Sequence, residues 1–131
     1  MLIKHWIVLF FLWSVSLCAQ QKGPLRVEDA EEHFARGNYL MAIPAYTFVL
    51  RNDPDNIFLK YRLGVCYLNT RVRRDEAIPL LELASKNPKV EEDVWIHLGK
   101  AYHLNNRIED AISAFEKFSE LKPKRALEVE L

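Results

Sequence analysis

"LGVCYLNT" occupies residues 63–70 and "LGKAYHLN" occupies residues 98–105. Leu63 and Leu98, Gly64 and Gly99, and Tyr67 and Tyr102 each pair across 35 residues. A phrase that returns at such an interval marks stacked supersecondary units rather than one irregular domain. The stretches that follow agree as well. "RRDEAIPLLELASKNP" from Arg73 and "NRIEDAISAFEKFSELKP" from Asn106 share Ala-Ile, then a large apolar residue, then Pro. "GNYLMAIPAYTFVLRNDP" from Gly37 carries the same series. Ala42, Ala77 and Ala111 lie 35 and 34 residues apart, each followed by Ile43, Ile78 or Ile112. Tyr46, Leu81 and Phe115 keep these intervals, and Pro54, Pro88 and Pro123 close the units at 34 and 35. In the first unit Asp29-Ala30 stands where the others have Leu-Gly.

Each unit reads as a helical hairpin. In its first helix a small residue (Ala30, Gly64, Gly99) removes bulk where another helix passes. In its second helix the small Ala and the aromatic or Leu four residues on share one face, so small meets large at the contact. Gly37-Asn38 and Asn105-Asn106 suit the turns, since both residue types tolerate left-handed backbone. The closing prolines end the second helix because they cannot donate an amide. The middle unit carries an extra residue in "TRVRRDEA", which predicts a longer and more basic turn. Pro44 and Pro79 fall early in second helices, where a missing amide is partly tolerated; a slight bend is expected.

Leu-Gly, Tyr, Ala, an aromatic and Pro at this period resemble the tetratricopeptide repeat, and Trp95 adds the aromatic that often opens the first helix in that family. The resemblance covers about residues 23–125. It implies an all-α fold, a right-handed superhelix of three hairpins (about 23–56, 57–91 and 92–125), with residues 126–131 starting a capping or continuing helix. It also implies a concave groove, lined by the first helices, that binds a protein or peptide without catalysis. The matching positions are Val27, Glu31 and Phe34; Phe58, Tyr61, Arg62, Val65 and Asn69; and Ile96, Lys100 and His103. Inter-repeat packing competes for these side chains, for Phe34 and Val65 above all. Similar chaperone-binding domains clamp a peptide's terminal carboxylate with Lys, Arg and Asn. The corresponding places here hold Val27, Glu31, Arg62, Asp93 and His97, which lack that basic set.

The composition favours a helical domain and points away from nucleic acid. Lys plus Arg and Asp plus Glu number 18 each, so no strongly basic face points to nucleic acid. Only four glycines occur. Residues 1–19, "MLIKHWIVLFFLWSVSLCA", have Lys4, an apolar run from Trp6 to Val15 and a short-residue end, the order of a secretory signal cleaved after Ala19. The run is shorter than the roughly 20 residues of a membrane span. Lipidation at Cys18 is the competing route, although Leu17 stands where a lipoprotein signal needs a small residue. Membrane contact is thus expected only through the leader or that lipid. Cys66, alone in an apolar stretch, reads as a buried hydrophobe, and the mature chain could form no internal disulfide.

No metal, cofactor or catalytic set is expected. His97 and His103 lack the one-face spacing of a zinc pair, His33 has acidic neighbours that do not converge with it, and His5 lies in the leader. Glu91, Glu92 and Asp93 read as charges favourable to a helix start. Arg71, Arg73 and Arg74 read as a solvated turn, with an acidic partner or phosphate as the sharper alternative. Export followed by a short array resembles the N-terminal segment of Gram-negative envelope proteins that continue into a β-propeller and an OmpA-like domain. Two functions follow as expectations: an exported adaptor in the periplasm or at the outer membrane, or a docking or spacer segment of a larger envelope assembly.

Overall fold

The computed structural model describes residues 25–123, so the leader, Cys18 and the 126–131 helix start lie outside the described residues. The described chain is all-helical. It runs α1 (Val27–Ala35), α2 (Tyr39–Asn52), α3 (Ile57–Asn69), a 3-10 turn (Arg74–Glu76), α4 (Ala77–Ser85), α5 (Val94–Leu104) and α6 (Ile108–Leu121). Each helix packs on the next in sequence, and α3 also touches α5, so the three hairpins stack in chain order. One continuous core joins them, centred on Tyr46, Tyr67, Leu81, Val65 and Cys66.

Each turn within a hairpin contains one left-handed residue: Gly37 (φ 73°), Arg73 (φ 50°) and Asn106 (φ 63°). Gly37 and Asn106 stand in the expected turns. Arg73 is the exception, a long side chain in a conformation that strains L-residues. Its own contacts hold it there. Arg73 Nε donates to Glu76 Oε1 at 2.6 Å, Nη1 donates to the Tyr67 hydroxyl at 3.2 Å, and the guanidinium lies 5.4 Å from the Tyr67 ring. The third hairpin repeats the device. Arg107 Nε donates to Asp110 at 2.6 Å, with the guanidinium 4.3 Å from the Tyr102 ring. The turn in the middle unit is longer and basic, as expected, and Arg73 is engaged with Tyr67 and Glu76 there.

Gly37 separates backbone strain from crowding, because a Cβ added there meets nothing within 4 Å. Gly37→Ala should therefore cost about 1 kcal/mol through φ alone. Matched denaturant midpoints for the two proteins check this.

Helix α2 runs through Pro44, and α4 through Pro79 at its third residue. Asn56 caps α3: its Oδ1 accepts from Leu59 N–H at 3.1 Å while its amide donates to Asp53 at 2.9 Å. The small-on-large contacts are tight. A Cβ on Gly64 would sit 3.1 Å from Leu81 Cγ, and one on Gly99 would sit 2.5 Å from Phe115 Cε1.

Candidate functional site

The first helices α1, α3 and α5 carry all of the groove candidates, and the structure sorts them into three groups. Tyr61 (3% exposed), Val65 (1%) and Ile96 are buried, so they form packed floor rather than contact surface. Val27, Glu31, Phe34 and Arg62 are half-buried. Phe58 (48% exposed), Asn69, Lys100 and His103 are open to solvent. The Asn69 amide donates to the Val65 carbonyl at 2.8 Å, which ties it to the end of its own helix.

Arg62 links α1 to the loop that enters α5. Its Nε lies 3.4 Å from Glu31 in the first hairpin, and Nη2 lies 3.3 Å from Glu91 just before α5. The same guanidinium sits 4.6 Å over the Phe34 ring and 5.7 Å from the Tyr61 ring. Phe34 in turn meets Tyr39 and Tyr46 edge-on, at 5.4 and 6.3 Å between centroids. Glu31 has a second task, since Tyr46 donates its hydroxyl to Oε1 at 2.7 Å. Burial, and then this bond, push the Tyr46 phenol well above its usual range, so it stays a neutral donor. Arg62 thus has both its charge and its flat face engaged. Its long ion-pair distances and partial exposure leave room for exchange with a partner's groups.

The acidic cluster does more than open a helix. Glu91 reaches Arg62, and Glu92 holds Lys122 at 2.9 Å, so both tie α5's start to other elements. Residue spacing could not reveal these partners, because each lies about a repeat away.

His97 packs beside Tyr61 with ring centroids 6.0 Å apart, and its Nδ1 is buried with no hydrogen-bond partner. Burial, aided by the Lys100 and Arg62 charges and opposed by Asp93, pushes its pKa down to about 4. It is a neutral wall of the face at neutral pH. Among the described residues no group of three His, Cys, Asp or Glu is placed to hold a metal ion. No described helix is long and apolar enough to cross a membrane.

Cys66 lies at the centre of the core. Burial, and then the Glu31 charge, push its thiol up to about 12, against the lowering effect of Arg62. Thiol reagents attack the thiolate. In a Cys18→Ser chain at pH 8, a disulfide reagent should therefore label Cys66 more than about a thousandfold more slowly than it labels the unfolded chain. Stopped-flow absorbance with and without denaturant measures the ratio.

Comparisons with known proteins agree with this architecture. The tetratricopeptide-repeat family pattern matches residues 92–125, the third hairpin. Over 73 residues, 56% of this chain, the sequence is 33% identical to the peroxisomal targeting signal receptors of Komagataella phaffii and Komagataella pastoris. That segment spans 12% of each receptor's length. The fold is similar to a solved point variant of MamA, with a TM-score of 0.60 and 29% identity, covering 70% of this chain and 66% of that one. Three stacked hairpins, the recurring small-on-large contacts and these likenesses together show an all-helical array of tetratricopeptide type, whose third hairpin matches the family pattern itself.

Proposed function

We propose that this array is an exported, non-catalytic scaffold that holds a protein or peptide partner of the cell envelope across its first-helix face. One observation carries the reading. On α3, a helix otherwise enclosed by its neighbours, Phe58 is left 48% exposed, on the helix face that also carries the half-buried Arg62. Exposed aromatics and arginines are the usual anchors of interfaces. Lys100 and His103 extend the face onto α5. The similar receptors are named for a targeting signal, which supports capture of an extended peptide segment here too. The leader supports export, to the periplasm or the outer membrane, with cleavage after Ala19 or lipid on Cys18 as the two routes.

The second reading is a docking or spacer segment of a larger envelope assembly. The apolar side chains left open on α6 favour it. The two readings separate by substitution. Immobilised mature chain should capture an envelope protein, and Phe58→Ala with Lys100→Ala should weaken capture at least tenfold with an unchanged helical signal. Tyr61→Ala is a poor probe, because Tyr61 is core. Capture that survives both surface substitutions would contradict the adaptor reading and leave the spacer.

A further inference from the structure

The outer faces of the three second helices differ in a way the fold does not require. Ala42, Ala77 and Ala111, all buried, set their common register. In that register α6 carries Glu109, Asp110, Ser113, Lys117 and Glu120, four charges among five exposed residues. The second hairpin has Asp75, Glu76, Pro79, Leu83 and Lys86, with three charges. The first has Leu40, Met41, Pro44, Phe48 and Arg51, with one. Leu40 is 58% exposed, Met41 55% and Phe48 41%, and Pro44 and Arg51 are exposed too. Steps of three and four residues, from Met41 through Pro44 and Phe48 to Arg51, put these side chains on one face of α2. The buried Ala42, Ala45 and Tyr46 hold the other side. A charged outer face suffices for α6, so the apolar stripe on α2 marks an interaction surface.

Two polar features flank the stripe. Arg51 is the one charged residue of α2, and among the described residues it makes no ion pair. At the other end a shallow depression lies between the first turn and the end of α3, with Asn38, Asn69 and Thr70 in its wall. The Asn69 amide donates to the Val65 carbonyl at 2.8 Å, and the Thr70 hydroxyl donates to the Cys66 carbonyl at 2.9 Å. Their side-chain oxygens are left to accept. Arg36, next in sequence to Gly37 of the depression, is taken up by Glu32 at 2.6 Å.

We propose that the stripe is the interface with a second copy of this chain, the two α2 helices packing antiparallel about a two-fold axis between Pro44 and Ala45. That axis sets Met41 of one copy against Phe48 of the other. It also sets Arg51 of each copy against Asn38 and the depression of the other, where oxygens can accept from its guanidinium. Each end of the stripe meets what the other end needs, as an isologous contact must. A bilayer fits less well, because Asp75 and Glu76 at the next hairpin repel anionic lipid. One helix from each copy makes less than a standard-size interface, so the dimer is weak, with a Kd on the order of 10 μM. The first-helix face takes no part in it.

Sedimentation equilibrium of the protein purified from cells expressing the full chain tests this. A monomer–dimer equilibrium should appear in the micromolar range. Phe48→Lys installs the residue type that α6 carries at Lys117, so the fold accepts it. It should weaken dimerisation at least tenfold with an unchanged helical signal. Adding Met41→Asp should restore most of the affinity, because each new lysine then faces a new aspartate of the other copy. Seven residues apart on one helix, the two cannot meet within a chain. A chain that stays monomeric at about 300 μM would overturn the proposal and leave the stripe to another protein or to a lipid surface. A dimer indifferent to Phe48→Lys, or one that Met41→Asp fails to restore, would overturn it too.

Discussion

Gly99→Leu should lower the stability of the folded chain by about 3 kcal/mol, the upper part of the range for an overpacked contact. The cause is local. A Cβ at Gly99 would stand 2.5 Å from Phe115 Cε1, 2.6 Å from Cδ1 and 2.9 Å from Cζ. Real side chains do not approach so closely, so the ring or the whole of α6 must move. Phe115 is the large residue of the third hairpin, and α5 and α6 lie directly against each other there. Thermal melting should fall by on the order of 10 °C. Restoring room with Phe115→Ala in the same chain should recover part of the loss, because the clash and the cavity are opposite errors at one site. Gly64→Ala should be milder, since its nearest neighbours are the Leu81 and Leu80 side chains at 3.1 and 3.2 Å. An unchanged melting temperature for Gly99→Leu would mean that the hairpin does not close as described.

The second large effect is acid sensitivity through His97. Its pKa is about 4 in the folded chain against an ordinary 6.5 when unfolded, chiefly because burial disfavours the imidazolium, with Lys100 and Arg62 adding repulsion. The folded state therefore binds fewer protons than the unfolded state between these values. Stability is at its full value above pH 6.5 and is lost as pH falls from 6.5 towards 4. At one pKa unit per roughly 1.4 kcal/mol, the loss approaches about 3 kcal/mol at the lower limit. His97→Phe keeps a ring beside Tyr61 and removes the titration. Urea titrations of both proteins at pH 7 and pH 4.5 should show a smaller loss of stability in the variant. Equal losses would assign the acid response to other groups.

What the sequence made legible was whatever repeats. The hairpins and the small-on-large contact of Gly99 with Phe115 follow from residues that recur at 34 or 35, and the turns at Gly37 and Asn106 from residue types that accept left-handed backbone. What it concealed depends on single positions. Arg73 takes a left-handed turn that spacing assigned to Gly or Asn elsewhere, and it does so because Tyr67 and Glu76 fix its side chain. Arg62 finds its carboxylates 31 residues before and 29 residues after itself, one on α1 and one in the loop that enters α5, and neither position belongs to the repeat pattern. Of the groove candidates, Tyr61, Val65 and Ile96 proved to be interior because the middle of the stack is covered on both sides, a matter of neighbours rather than of helical phase. Asp29 breaks the Leu-Gly pattern in the first unit where it is exposed, since among the described residues no hairpin precedes α1.

The proposed seat of the partner is a single face, that of the first helices. Site-specific photo-crosslinking tests it most directly. A photoreactive phenylalanine at Phe58 on α3 is compared with one at Phe48 on α2, which are similarly exposed at 48% and 41%. In cells carrying the full chain, a discrete adduct with a different protein should form from position 58 and not from position 48, and it should disappear with Lys100→Ala. Such adducts from 48 alone, or from both positions equally, would contradict the proposal.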